Sequence, residues 1–431
     1  WQWQRGLNKM SKETARELIE FIEKSPTSFH AAAVMGEMLE DAGFIRLEER
    51  DRWELERGGR YYTVRNGSAL IAFTVPKEEL TGFRIIASHS DSPSFKIKEN
   101  PEILADNQYV KLNTEGYGGM LCAPWFFRPL RVAGRISVTE DVRVITTLVH
   151  VDRDLLMLPN LAIHMNREAN NGYKYNPQKD MLPLLGEASE KGRFLKIIAE
   201  AGEVDEEAIL GYDLFLYNRQ PGTIWGADEE FLSIGRLDDL QCAFASLKGF
   251  LTGAKEKYGA VHCVMDNEEV GSGTKQGAGS TFLFDVLFRI HKALGGDYEE
   301  YLRCVADSFM ISADNAHAVH PNYTDKADPV NRPYLNKGIV IKHSANQKYC
   351  TDGFSAAVFK EICRRAKVPY QTFTNRSDMP GGSTLGNISM AQVSVNAVDI
   401  GLPQLAMHSP YETAGVEDTD YFIKAATIFF E

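Results

Sequence analysis

Residues 260–280 read AVHCVMDNEEVGSGTKQGAGS and combine a strand-like apolar run with a cluster of acidic residues. The first six residues form an apolar run typical of a buried strand, and Asp266, Glu268 and Glu269 follow at the end of that strand. The second half is rich in glycine, but the glycine spacing matches neither the Walker phosphate loop nor the dinucleotide-binding fingerprint. Carboxylates would also repel a phosphate. The stretch therefore favours acid–base or metal chemistry at a strand end.

The same order of an apolar strand followed by polar side chains occurs at FRIIASHSD (83–91) and at FMISADNAH (309–317). In open α/β sheets, ligands bind outside the carboxyl ends of the strands, so the repeated pattern predicts one site at one edge of one sheet. After Gly235 the apolar spacing becomes helical, which places Asp238 just before or at the start of a helix.

Composition and charge exclude several functional classes. The chain has 431 residues, of which 44% are hydrophobic and 25% charged, as is ordinary for a large globular protein. We expect no membrane span and no secretory signal, and hence a cytoplasmic location. The six cysteines form no C-x-x-C pair, which argues against a disulfide framework and against a cysteine zinc site. A net charge of -12 disfavours nucleic-acid binding.

The composition and the pattern of apolar residues change in the middle third of the sequence. Short β-rich pieces such as VRVITTLVHV and an Asn-rich stretch replace the longer apolar strands and helices. We therefore predict an inserted domain at 97–233, which interrupts a larger α/β domain formed by 1–96 and 234–431.

Several side chains near the predicted strand ends could bind metal. Each has a structural interpretation when it is taken alone, such as a helix cap, a turn or a hydrogen-bonded core histidine. Together they outnumber what capping requires, and they could neutralise two divalent cations. The set comprises His89, Asp91, Asp238, Asp239, Glu268, Glu269, Asp314 and His408.

A two-metal hydrolytic site needs a bridging carboxylate, because two close dications repel each other strongly. Asp238 is our candidate for the bridge. One residue of the pair Glu268 and Glu269 would bind metal, and the other would serve as general base. Asp91 could orient His89 by accepting its second N–H. Histidine and carboxylate ligands together suit zinc, with cobalt or manganese as substitutes.

Two other hydrolytic chemistries are disfavoured. The PGGSTLG segment around Ser383 does not match the G-x-S-x-G nucleophile elbow, and H-E-x-x-H is absent from the sequence.

Nine motifs follow one another along nearly the whole chain: SPTSFHA, ASHSDSPSFKIK, YGGMLCAPWF, PNLAIHMNR, GRLDDL, DNEEVGS, SADNAHAVHPNY, GIVIKHSANQKY and PQLAMHS. In these motifs and in their order the chain resembles the aspartyl aminopeptidase family of co-catalytic zinc peptidases. The resemblance implies an α/β fold in which a mixed-sheet zinc-peptidase catalytic domain is interrupted by a β-rich dimerisation domain. It also implies a tetrahedral dodecamer built from dimers.

The resemblance also implies a set of metal ligands. His89 and Asp314 would bind one zinc ion, Glu269 and His408 would bind the other, and Asp238 would bridge the two.

Further roles follow from the same resemblance. Glu268 would be the general base, and Asp91 would orient the histidine ligand. Lys342 would face the acidic side chain of the substrate, and His164 would reach the active site of a neighbouring subunit. Tyr349, at the end of GIVIKHSANQKY, completes the expected substrate-binding residues.

The chain departs from the family pattern at Asp239, at Asn267 and in the segment FFRPL, none of which is an implied ligand. The expected activity is removal of N-terminal Asp or Glu from peptides. The alternatives are a two-metal aminopeptidase of neutral specificity, a deacylase on the same fold, and a non-catalytic oligomeric binding protein. The complete ligand set disfavours the last of these.

Overall fold

The computed structural model describes residues 2–253 and 258–431, with side chains from Lys9 onward. The chain divides into two compact units. The first comprises the chain up to Asp91 together with Gly222–Met407 and Glu412–Glu431, and the second comprises Ser92–Pro221 and His408–Tyr411. In the described residues, no helix is long and apolar enough to cross a bilayer. The assignment of catalytic and dimerisation roles to predicted domains stays a prediction.

The helices lie mainly in the first unit, and only α3 and α4 belong to the second. In chain order, the helices of the described residues are α1 (Gln2–Glu23), α2 (Ser28–Asp41), α3 (Pro177–Asp180), α4 (Phe194–Gly202), α5 (Leu237–Thr252), α6 (Phe282–Ala293), α7 (Tyr298–Ala306), α8 (Gly353–Ala366), α9 (Leu385–Ser389) and α10 (Asp418–Phe430).

The strands of the described part of the chain form three sheets. In chain order they are β1 (Ile45–Arg46), β2 (Arg60–Arg65), β3 (Ala69–Thr74), β4 (Phe83–His89), β5 (Ser94–Ala105), β6 (Tyr109–Tyr117), β7 (Leu130–Glu140), β8 (Arg143–His150), β9 (Leu184–Glu187), β10 (Ile209–Asn218), β11 (Thr223–Trp225), β12 (Phe231–Ile234), β13 (Gly259–Met265), β14 (Phe309–Ala313), β15 (Ala316–His317), β16 (Ile339–Lys342), β17 (Tyr370–Phe373), β18 (Asn396–Gly401), β19 (Pro403–Leu405) and β20 (Glu412–Gly415).

The first unit is built on a nine-stranded sheet of order β1-β2-β3-β13-β4-β14-β18-β16-β17. Its four central strands β13, β4, β14 and β18 are mutually parallel, so their carboxyl ends meet at one edge. Antiparallel pairs flank this centre, at β3 with β13 and at β16 with β18. A five-stranded sheet of order β11-β12-β20-β19-β15 completes the unit. The predicted mixed α/β class is therefore confirmed.

Helices cover both faces of the nine-stranded sheet. Successive side chains of a strand point to opposite faces, and β3 shows this: Leu70 and Ala72 pack in a core with residues of α1, α2, α5, α8 and α10. Ile71 and Phe73 pack in a second core with residues of α6, α7 and α9. Because both faces are covered, β13 and β14 are buried along their whole length.

The second unit contains a six-stranded antiparallel sheet of order β8-β7-β10-β5-β6-β9. Its core joins one face of this sheet to α4: Val132 and Ile136 of β7 pack in the same cluster as Phe194 and Ile198 of α4. This unit accounts for the short β-rich pieces of the middle third of the sequence.

His262 is an unusual polar residue in the core of the first unit. It lies in β13 with 0% of its surface exposed, and its Nδ1 is 3.2 Å from the hydroxyl of Ser246. Burial disfavours the charged imidazolium and lowers the pKa of His262 to about 3. The folded protein therefore holds this side chain neutral.

The buried histidine predicts a specific pH dependence of stability. Below a pH of about 6.5 the unfolded chain protonates His262 whereas the folded chain does not, so stability that is present above that pH is lost as the pH falls toward 3, at about 1.4 kcal/mol per pH unit. Between pH 7.5 and pH 5.5, wild type should lose about 1.4 kcal/mol more of its unfolding free energy than His262→Gln, as measured by urea denaturation at matched metal content. The exposed His317→Gln is the control. An equal loss in wild type and His262→Gln would contradict the prediction.

Candidate active site

Three strand ends meet at one edge of the nine-stranded sheet. β4 ends at His89, which pairs with Met265 at the end of β13, and the glutamates 268 and 269 follow that strand within four residues. On the other side of β4, β14 ends at Ala313 and is followed by Asp314. The parallel pairing thus brings polar side chains from three distant parts of the sequence to one edge.

The imidazole of His89 lies at the centre of a group of carboxylates. Its Nε2 is 3.5 Å from Asp238 Oδ1, 3.8 Å from Asp314 Oδ1 and 3.9 Å from Glu268 Oε2. His89, Asp238 and Asp314 offer ligand atoms that all lie within 4.8 Å of one another, and so do His89, Glu268 and Glu269. Both groups have the composition and spacing of a metal site.

The start of α5 places Asp238 in this group. Asp238 and its neighbour Asp239 depart from helical φ and ψ, so the two side chains are not arranged as in a regular helix. The backbone N–H of Asp238 donates to Glu412 Oε2 at 3.1 Å, and Asp239 Oδ2 accepts the backbone N–H of His89 at 3.1 Å. Asp239 and Glu412 therefore hold the backbone of the candidate ligands. Neither of these two contacts was predicted from the sequence.

Asp91 connects His89 to the glutamate pair. Nδ1 of His89 lies 3.0 Å from the backbone carbonyl of Asp91 and 3.4 Å from its Oδ1. The same carboxylate accepts two backbone N–H groups, from Glu268 to Oδ1 and from Glu269 to Oδ2, each at 3.1 Å. Asp91 therefore fixes the turn that carries both glutamates as well as contacting the histidine.

The site concentrates negative charge in a buried place. Its carboxylates are those of Asp91, Asp238, Asp239, Glu268, Glu269 and Asp314.

The pKa shifts at the site follow from burial and from this charge. Burial is the main cause that raises the pKa of Glu268 to about 8; His89 lowers it, and the surrounding carboxylates raise it. Burial also raises the pKa of Asp239. For His89 burial opposes the charge, yet the contacts with Asp238, Asp239, Asp314 and Asp91 raise its pKa well above the ordinary value. The site thus favours added positive charge, and its imidazole and carboxylate donors fit zinc.

Lys342 lies beside this group at the end of β16 and is 3% exposed. Its Nζ is 3.5 Å from Asp314 Oδ2 and donates to the backbone carbonyl of Asn315 at 2.9 Å. The ammonium is 5.5 Å from the ring centroid of Tyr349, which is also buried. Burial is the largest single effect and lowers the pKa of Lys342, but the combined charges of Asp314, Tyr349, Asp399 and Asp238 outweigh it, and the net shift is upward. The lysine therefore stays charged next to the candidate ligands.

His164 and His408 belong to the second unit. His164 is exposed, in a stretch where Leu161, Ile163 and Met165 are exposed as well. His408 lies 2.6 Å through Nδ1 from the carbonyl of Gly119, so Nδ1 donates and Nε2 is the acceptor nitrogen of this tautomer. That tautomer has the form required of a histidine ligand that binds through Nε2.

Comparison with known proteins identifies the family. The family "Aminopeptidase I zinc metalloprotease (M18)" matches residues 21–430. A probable M18 family aminopeptidase 2 of Clostridium acetobutylicum is 48% identical over 431 residues, which cover 98% of this chain and 99% of that protein. The corresponding protein of Pseudomonas aeruginosa strain UCBPP-PA14 is 41% identical over 98% of this chain and 99% of its own length.

Solved structures show the same fold. A chain of the cryo-EM structure of the Ape4 and Nbr1 complex superposes with a TM-score of 0.95 at 35% identity, over 98% of this chain and 86% of that chain. The structure titled S. cerevesiae mApe1 dodecamer has a TM-score of 0.86 at 27% identity, over 97% of this chain and 96% of that chain. The resemblance inferred from sequence motifs is confirmed, and this chain belongs to the M18 family of zinc aminopeptidases, which hydrolyse peptide bonds.

Proposed function

We propose that this M18 metalloaminopeptidase removes N-terminal Asp and Glu residues from peptides with the help of two divalent ions. The observation that carries the hydrolytic part is the buried group around His89, in which Asp238, Asp314 and Glu268 lie within 3.9 Å of one imidazole nitrogen. The preference for acidic residues rests on the positive charge of Lys342 beside this group.

The proposed ligands follow the donor set of the site. His89 and Asp314 would hold one ion, Glu269 and His408 would hold the other, and Asp238 would bind both. The distances of 3.5 Å and 3.8 Å from His89 to the two aspartates support the first set. Zinc is the first candidate for both positions, with cobalt and manganese as substitutes that accept the same donors.

The protein's own contribution to the chemistry is proton transfer and orientation. Divalent ions, when bound, supply a Lewis acid for the scissile carbonyl and lower the pKa of water at the site. Glu268 takes the proton of the attacking water on its carboxylate and gives it to the departing amine. Asp91 keeps Glu268 in place through the backbone N–H of the turn, and it orients His89.

The substrate's acidic side chain is proposed to lie against Lys342, with Tyr349 packed beside the lysine. A charged ammonium attracts the carboxylate of an acidic side chain, whereas a neutral side chain gains no such electrostatic attraction. His164 is proposed to reach the active site of a neighbouring subunit.

Assembly into a tetrahedral dodecamer built from dimers belongs to the same proposal. One relative of similar fold is described as a dodecamer. The second unit exposes apolar side chains on and near β8, among them Val142 at 95%, Val144 at 64% and Leu148 at 39% of their surface. Contiguous exposed apolar side chains are typical of protein–protein contacts. The cytoplasmic location stays a prediction.

The first test is a measurement of metal content together with cleavage of Asp-, Glu-, Leu- and Ala-p-nitroanilides. We expect two ions per chain and much faster cleavage of the acidic substrates than of the neutral ones, with cleavage lost on chelation and restored by zinc, since the site's donors are carboxylates and histidines. Cleavage of the Leu substrate as fast as that of the acidic ones would favour the aminopeptidase of neutral specificity. A protein that binds zinc but cleaves none of the four substrates would contradict the aminopeptidase. An assay with N-acyl amino acids would then distinguish a deacylase, which cleaves them, from a binding protein, which does not.

The role of Glu268 predicts a separation of chemistry from metal binding. Glu268→Gln should lower kcat by about 100- to 10,000-fold, because an amide cannot carry the proton, while metal content and thermal unfolding stay close to wild type. Glu299→Gln, a substitution on the exposed surface of α7, is the matched control. If Glu268→Gln retained wild-type turnover, the proton would be carried by another group.

The role of Lys342 predicts a change of specificity. Lys342→Met keeps most of the side-chain volume and removes the charge, so kcat/KM for Asp and Glu substrates should fall at least about 100-fold while that for Leu and Ala changes within about threefold. Lys348→Met, on the exposed segment that follows β16, is the control. If kcat/KM fell equally for all four substrates, Lys342 would support Asp314 and would not select the substrate.

A further inference from the structure

The glycine-rich segment from Gly271 to Ser280 has no part in the proposed reaction, and its spacing excludes the known phosphate loops. Two of its side chains share one acceptor. The hydroxyl of Thr274 donates to Asn267 Oδ1 at 2.8 Å, and the amide of Gln276 donates to the same oxygen at 2.7 Å. Asn267 immediately precedes the glutamate pair. The segment therefore folds back onto the residue at which the catalytic turn begins.

Backbone contacts reinforce this arrangement. The N–H of Ser272 donates to the carbonyl of Asn267 at 2.8 Å, and the N–H of Asp266 donates to the carbonyl of Gln276 at 3.1 Å. Asn267 has a φ of 62°, in the left-handed region. Asparagine adopts that region more readily than most residues, but at a cost in conformational free energy that the surrounding hydrogen bonds have to offset.

The close approach of the segment requires a residue without a side chain at position 277. A Cβ at Gly277 would lie 2.4 Å from the carbonyl oxygen of Ser272, closer than real Cβ contacts allow. Gly277 thus lets the chain wrap around Ser272 and return Thr274 and Gln276 to Asn267.

The turn that carries the glutamates is consequently held from two sides. Asp91 accepts the N–H groups of Glu268 and Glu269, and the glycine-rich segment holds Asn267. We propose that Thr274 and Gln276 are positioning residues, which act through Asn267 to hold the carboxylate of Glu268 in its catalytic orientation. This inference rests on the proposed role of Glu268 as general base.

The geometry explains why so remote a contact matters for turnover. The φ and ψ of Asn267 set the direction in which the following residue leaves the strand, so a small rotation there displaces the Glu268 carboxylate several bonds away. A displacement of about 1 Å at a reacting group costs about 100-fold in rate. Proton transfer depends on this position directly, whereas substrate binding depends on other contacts. The loss should therefore fall on kcat and leave KM nearly unchanged.

The test compares Thr274→Val, Gln276→Met and the double variant with wild type. We expect kcat to fall about 10-fold in each single variant and about 100-fold in the double variant, with KM within twofold and metal content per chain unchanged. Thr274→Ser keeps the hydroxyl donor and should keep most of the activity. Lys275→Met, an exposed substitution between the two positions, is the matched control.

Wild-type kcat in the double variant would overturn the inference. A loss of metal from the double variant that matches its loss of activity would also overturn the inference, and so would an equal fall of kcat in Lys275→Met. Either result would indicate that the glycine-rich segment only supports the fold in general. Kinetics are measured on whichever substrate wild type cleaves best, so an error in the proposed acidic specificity leaves the comparison intact.

A second measurement does not depend on catalysis. Hydrogen exchange of the backbone N–H groups of Gly271 and Ser272 should be faster in the double variant than in wild type, because the turn at Asn267 loses its side-chain bonds. If wild type proved inactive on every substrate, the proposed function would fail, and with it the role of Glu268 on which this inference rests. Unchanged exchange in the double variant would overturn the inference even in an active enzyme.

Discussion

Parallel pairing of the central strands determines where the side chains of the candidate site lie. It brings the ends of β4, β13 and β14 to one edge, and with them more buried carboxylates than the nearby cationic side chains balance. Like charges in a low-dielectric place repel strongly, and the raised pKa of Glu268 reflects that burial and repulsion. A zinc peptidase needs such an arrangement, because the same unbalanced charge that costs stability provides the affinity for cations.

The sequence predicted those features that depend on short stretches of chain. Apolar runs that end in polar residues are local patterns, so the mixed α/β class and the family were inferred correctly, and the strand ends lie at one edge as expected. The bonds that hold the candidate ligands were not predictable. Asp239 meets His89 across 150 residues, and Glu412 meets Asp238 across 174. Such pairs depend on the final packing of distant segments, of which one sequence carries no local sign.

The glycine-rich segment shows the same limit. Its spacing was enough to reject phosphate binding, but the return of Thr274 and Gln276 to Asn267 depends on how the loop closes. The expected roles of Lys342, Tyr349 and His164 rest on family resemblance, since no local pattern distinguishes a buried lysine at a strand end from a solvent-exposed one. The structure adds that Lys342 is buried and paired with Asp314, which connects the proposed selection of substrate to the metal ligands.

Asp91 is the last residue of the first unit before the chain enters the second. Its carboxylate is bonded to two amides of the glutamate turn, so the exit point of the chain is itself part of the site's framework. The conformational cost of closing a loop grows only slowly with its length. The second unit could therefore change in length and surface while the anchor at Asp91 kept the glutamate turn of the first unit in place.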